Sequence, residues 1–143
     1  MEEMISSQKI LADLPPNAKV EIDGLGSFIA LECMHQVGIE EKLSEIKDTL
    51  RVMSGGPSLI EICQKIYQEY LEDPTEKRIT ELRIAYENIP EHERMYVGDM
   101  DVKDTAVRML IYGDQEIENW SHYQVAKNMG SELPSINLPK PKK

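Results

Sequence analysis

Apolar positions recur along most of this chain at helical spacing. Ile39, Leu43, Ile46, Leu50 and Met53 repeat at alternating steps of four and three, the period of a helix packing along one seam. Glu40, Glu41, Lys42, Glu45, Lys47 and Asp48 lie between them as a solvated face. Ser54-Gly55-Gly56-Pro57 breaks the chain and restarts it: glycine supplies the stop, and Pro57 suits the first turn of the next helix. That helix carries Leu59, Ile60, Cys63, Ile66, Tyr67, Tyr70 and Leu71 on one stripe. Asp73-Pro74-Thr75 separates it from another with Ile79, Leu82, Tyr86 and Ile89 in register, ended by Pro90. Consecutive helices with short loops predict antiparallel neighbours.

Before this run, residues 4–14 read as a short helix with Ile5, Ile10, Leu11 and Leu14 on one side, ended by Pro15-Pro16. Val20 and Ile22 alternate with charged neighbours as a strand would, but one isolated strand has nothing to pair with. The stretch therefore reads as an extended connector that turns at Gly24 and Gly26. Residues from Phe28 to Val37 are apolar on most sides, which predicts a helix over 27–37 in the centre of the domain. Ser27 would cap it and Gly38 would stop it.

Beyond Pro90, residues 91–98 read as a turn or a single helical turn. Asp101 or Asp104 then caps a helix through Ala106, Val107, Leu110 and Ile111, stopped near Gly113. Asp114 caps the last helix, with Gly130 after its end. Residues 131–143 contain Pro134, Pro139 and Pro141 and cannot be helical, so they form an extended surface arm or are disordered. The expected fold is all-α: a single-domain bundle of about six or seven helices over residues 1–130, with the apolar helix 27–37 central and the Pro/Lys tail extended.

Charge narrows the function classes. Asp and Glu total 26 against 16 Lys and Arg, a formal net charge of −10. An acidic surface repels phosphate backbones, which argues against nucleic acid as a partner. It favours solubility and speeds encounter with a basic partner. Cys33 and Cys63 form no C-x-x-C pair and sit on apolar faces, where a free thiol packs as a small hydrophobe and suits a reducing compartment. MEEMISSQKILADLPP has neither signal-peptide nor transit-peptide character, and no stretch is apolar enough to span a bilayer. The expectation is a cytoplasmic protein without membrane association.

Motifs for chemistry are sparse. Glu32-Cys33-Met34-His35 matches E-x-x-H, which places Glu32 and His35 on one helix face as in di-metal bundles. The second such motif is missing, and Glu118 and His122 stand one residue further apart. Glu32 and His35 are therefore weak metal candidates, read first as polar positions at the edge of a buried helix. Asp99-x-Asp101-x-x-Asp104 resembles the opening of a calcium loop. It then places Asp104 where glycine is needed and Leu110 where glutamate is needed, so helix capping is the simpler role. No G-x-S-x-G elbow, glycine-flanked cysteine or phosphate-cradling loop occurs. His92, between Glu91 and Glu93, reads as a surface residue. Neither catalysis nor a cofactor is expected.

The remaining concentration of polar and aromatic character is Tyr112–Tyr123, YGDQEIENWSHY, with the only tryptophan. Helical spacing would set Ile117, Trp120 and Gln124 on one side and Trp120, Tyr123 and Lys127 on another. The favoured reading is an acidic interaction module that masks a basic partner, as small immunity or antitoxin-like proteins of bacteria do; this is an analogy of class. Asp99, Asp101, Asp104, Glu116 and Glu118 would meet the partner's cations, with Arg108 and His122 beside them. Trp120 and Tyr123 would supply the buried centre. A second reading is a metal-binding bundle or enzyme that uses Glu32, His35, Glu118 and His122. A third is a homo-oligomeric subunit with the Pro-rich tail docked on a neighbour.

Overall fold

The computed structural model describes residues 17–29, 31 and 38–142, and contacts divide the chain into two compact units, Met1–Ile46 and Lys47–Lys143. The helix expected over 4–14 lies outside the described residues, as do Glu32, Cys33 and His35. The boundary between the units falls inside helix α1, Ile39–Met53. The class is as expected: the described residues are mostly helical, with one small sheet.

That sheet corrects two expectations in the first unit. Strands β1, Lys19–Ile22, and β2, Gly26–Ile29, pair antiparallel, with Lys19 opposite Ile29 and Val20 opposite Phe28. The stretch from 18 to 26 is therefore half of a hairpin and not a connector. Ser27, Phe28 and Ile29 belong to its second strand and not to a buried central helix; all three are exposed. The turn needs backbone that L residues rarely adopt: Gly24 has φ 72° and Gly26 φ 115°. An apolar run of this length fits either strand or helix, and the neighbouring Val20–Ile22 segment supplied the pairing partner. Leu43 of α1 is buried in this unit.

The second unit contains helices α2, Leu59–Glu72, and α3, Glu76–Glu87, then α4, Thr105–Tyr112, and α5, Ser121–Met129. Two 3₁₀ segments, Glu91–Tyr96 and Asp114–Asn119, precede the last two helices. The start of α2 is a reciprocal capping box: Ser58 Oγ accepts from the Glu61 amide, and Glu61 accepts from the Ser58 amide at 2.7 Å. Asp48 of α1 adds a further acceptor for the Leu59 amide at 3.0 Å. Thr75 caps α3 in the same way, by accepting from the Arg78 amide.

The predicted stripes of α2 and α3 meet as the core. Cys63, Leu82, Ala85, Tyr86 and Ile89 pack with Val97, Val107 and Ile111, and Leu59, Ile60, Ile66 and Tyr67 line its margin. Arg83 reaches across from α3 to the Ile111 carbonyl, where α4 runs out before Gly113 at φ 112°. The last helix is shorter than expected. Asp114 opens a 3₁₀ segment, and α5 begins only after Trp120, whose backbone is extended. Ile117 and Trp120 thus do not share an α-helical face. Residues 131–142 form an extended arm without helix, and none of them is buried.

Candidate functional site

The segment 91–104, EHERMYVGDMDVKD, has more built-in support than a surface connection requires. It begins at buried Pro90, whose carbonyl accepts from the Glu93 amide at 2.9 Å and starts the 3₁₀ turn. Arg94 turns back toward α3. Its Nε donates to the Ile89 carbonyl at 2.9 Å and its Nη2 to the Glu87 carbonyl at 3.2 Å, so a guanidinium closes orphan carbonyls at the helix end. The same guanidinium lies 5.2 Å from the centroid of the Tyr86 ring, a cation–π contact.

Val97 is the apolar anchor, 3% exposed within the core. Gln64 of α2 donates to the carbonyls of Tyr96 and Val97 at 3.2 and 3.1 Å. Gly98 follows where the chain folds onto itself: a Cβ there would sit 1.5 Å from the Lys103 carbonyl oxygen, so only glycine fits. Asp99 then organises a turn. Its Oδ1 accepts from the amides of Asp101 and Val102 at 3.0 and 2.7 Å, and its carbonyl accepts from the Lys103 amide at 2.8 Å. Trp120 Nε1 donates to the Asp101 carbonyl at 2.8 Å from behind. Tyr86 donates its hydroxyl to Asp104 at the far end.

This framework holds three large apolar side chains in solvent: Met95 at 40%, Tyr96 at 60% and Met100 at 94% exposure. Glu91, Asp99 and Asp101 are exposed in the same stretch. Five acids, Glu91, Glu93, Asp99, Asp101 and Asp104, stand against Arg94 and Lys103 in this stretch. The braced loop thus exposes both large apolar and acidic side chains.

A groove of about 510 Å³ adjoins it, lined by Tyr86, His92, Arg94, Asp104, Arg108, Tyr112 and Glu116 among others. Its polar groups are engaged with one another. Arg108 forms an ion pair with Glu116, which also accepts from Asn119 at 3.1 Å. Tyr112 donates to Glu87 at 3.2 Å, stands edge-on to Tyr86 with centroids 6.4 Å apart, and receives Arg83 over its ring. Burial, and then the hydrogen bond and negative charge of Asp104, push the Tyr86 hydroxyl far above its ordinary range. Burial and Glu87 raise Tyr112 in the same direction. These tyrosines therefore remain neutral donors at physiological pH.

The residues singled out by sequence fall into three groups. Asp99, Asp101 and Asp104 lie in the braced loop, and Arg108 and Glu116 line the adjoining groove. Neither Asp101 nor Asp104 caps α4 through its side chain; Asp99 serves the turn before it. Asp104 occupies the N-cap position of α4, but its carboxylate faces Tyr86 instead of the helix. Trp120 is buried at 9% exposure and braces the loop from inside, so it is not the exposed centre of a contact surface. His122 rests on the Trp120 ring with centroids 5.2 Å apart; Tyr123 is half-buried. Glu118 is exposed and faces Lys127 at 3.6 Å. Among the described residues, no three His, Cys, Asp or Glu side chains converge as a metal site. No described helix is long and apolar enough to cross a membrane.

Sequence reasoning missed Met95, Tyr96 and Met100, and the residues that hold them, Gln64, Arg94 and Gly98. The available signal was Met, Tyr and Met among acids in a stretch already read as a turn, where apolar side chains have no core to enter.

Two family descriptions match the chain: Domain of unknown function (DUF7639) over residues 58–136, and Domain of unknown function (DUF7638) over residues 1–57. The junction between them falls at Ser58, the cap of α2. No curated protein and no solved structure shows a significant match.

Proposed function

We propose that this chain, which belongs to the family described as Domain of unknown function (DUF7639), is a cytoplasmic protein-interaction module that binds a basic partner through residues 91–104. The observation that carries this reading is the exposure of Met95, Tyr96 and Met100 on a loop braced at its Gln64, Arg94, Gly98 and Trp120 contacts. A braced backbone leaves less loop entropy to lose when a partner covers these side chains. Methionine and tyrosine are among the residues enriched at interface centres, and a polar rim is the usual surround. The acids of the loop select a cationic partner, and the net charge of −10 draws it in from a distance. Masking of a basic toxin or nuclease is one role that fits such a module.

The test is comparative capture. Full-length protein and a Met95→Ser, Tyr96→Ser, Met100→Ser variant are immobilised, and the protein retained by the first but not the second is purified and titrated. The partner should be basic, and its association rate should fall steeply with salt because exposed charges steer the encounter. Tyr96→Ala alone should weaken its Kd about tenfold or more, as loss of a central interface aromatic does. Retention of the same proteins by both samples, or binding indifferent to salt, would overturn the reading.

A further inference from the structure

The arm 131–142 lies on the second unit through few contacts, and each reads as recognition of an extended peptide. Tyr70 of α2 is 0% exposed, and its hydroxyl donates to the Pro139 carbonyl at 2.5 Å. A buried donor is thus presented to a main-chain carbonyl of the arm. The Lys142 amide donates to the Pro74 carbonyl at 2.8 Å, and Lys142 pairs with Thr75 as a parallel bridge. The Lys142 ammonium reaches Asp73 at 3.0 Å. Between the arm and the helices lies a cavity of about 310 Å³, walled on the helix side by Tyr70, Ile79, Met109, Leu110 and Asp114.

The arm covers the groove of Tyr70, Ile79 and Leu110 as the outer wall of this cavity and lies outside the core. None of its described residues is buried, and it contributes nothing to the core cluster of α2, α3 and α4. Its main-chain bonds are sequence-independent, which is how strand-like peptide addition supplies affinity. Its prolines restrict φ before binding and so reduce the ordering cost of an extended segment. Its Lys142 meets Asp73 just after the C-terminus of α2.

From this we infer that the groove of Tyr70, Asp73, Ile79 and Leu110 is a binding site for an extended, proline-containing, lysine-bearing segment of another protein, with the arm as its resident occupant in cis. A net charge of −10 on each copy opposes a second copy and attracts a basic segment. The tethered arm competes at a high effective concentration, so the site opens to a partner only when the arm is weakened or outcompeted.

A fluorescent synthetic peptide with the sequence of residues 133–142 tests this by anisotropy against full-length protein. Wild type should bind it weakly. A full-length variant with Pro139→Gly, Pro141→Gly and Lys142→Ala should bind it at least tenfold more tightly. Adding Tyr70→Phe or Asp73→Asn to that variant should remove threefold or more of the gain. Asp73 is largely exposed, so its substitution reports on the groove even if the buried Tyr70 change disturbs folding. No gain on weakening the arm, or a gain indifferent to both groove substitutions, would overturn the proposal. So would equal binding of a peptide with alanine at each proline, and so would a wild-type dimer on gel filtration that Asp73→Asn dissolves, since the occupant would then be a second copy. None of these variants touches the 91–104 loop, so failure here leaves the basic-partner reading standing.

Discussion

Trp120→Phe separates a bracing tryptophan from a partner-contacting one. The substitution retains an aromatic ring but deletes the indole N–H that donates to the Asp101 carbonyl at 2.8 Å. Loss of a net hydrogen bond costs about 1 kcal/mol, with the exposed position of Asp101 letting water take over its carbonyl. The smaller ring gives up roughly 40 Å² of burial, again about 1 kcal/mol. The sum, about 2 kcal/mol, should be read from urea unfolding followed by far-UV circular dichroism, because the substitution removes the only tryptophan. The loss should also be local. Amide exchange at Lys103, whose N–H is bonded to the Asp99 carbonyl, should quicken by up to about 30-fold, the equivalent of that energy in an opening equilibrium. Amides of α2 that exchange by global unfolding should change only as much as the global stability does. A stability change below about 0.5 kcal/mol with unaltered exchange at Lys103 would refute the bracing role.

Three further outcomes follow from individual contacts. Gly98→Ala places a methyl group on the Lys103 carbonyl and should destabilise by about 1–3 kcal/mol or more while abolishing the turn's amide protection; a neutral result in urea titration would contradict the close approach. Ser58→Ala removes one half of the α2 capping box and should cost about 1 kcal/mol in the same assay, with Ser58→Thr recovering most of it. Stability should fall as pH rises from about 9. Burial pushes the fully buried Cys63 thiol up from 9.0 to about 12, so in that window the unfolded chain releases a proton that the folded chain keeps. The slope is about 1.4 kcal/mol per pH unit for this one group, on the order of 2 kcal/mol by pH 10.5. Tyr67, Tyr70, Tyr86 and Tyr112, all raised by burial, add to the loss above 10. Urea midpoints at pH 8 and 10.5 measure it, and Cys63→Ala should flatten the difference.

Pattern and structure agree where a segment's surroundings were implied by its own period. The stripes of α2 and α3 repeat often enough to define a face, and punctuation at Ser54–Pro57, Asp73–Thr75 and Pro90 marks helix ends; the seam of α1 agrees only in part, with Leu43 buried but Leu50 and Met53 exposed. Agreement fails where a partner distant in sequence decides. Val20–Ile22 became a strand because Ser27–Ile29 paired with it, and the apolar run that began at Phe28 lost its first residues to that pairing. Asp104 stood where a cap belongs, but Tyr86, far behind it in the chain, took its carboxylate.

The helical class, the acidic charge and the non-helical character of residues 131–142 were determined by sequence alone, because each follows from local periodicity, composition or proline chemistry. Tertiary structure decided which aromatic is buried and which apolar groups are not. Trp120 had the composition of an interface centre and lies inside, under Asp101, while Met95, Tyr96 and Met100 occupy an unremarkable turn and stand in water. Composition says that a side chain favours burial, but only the packed core determines whether there is room for it.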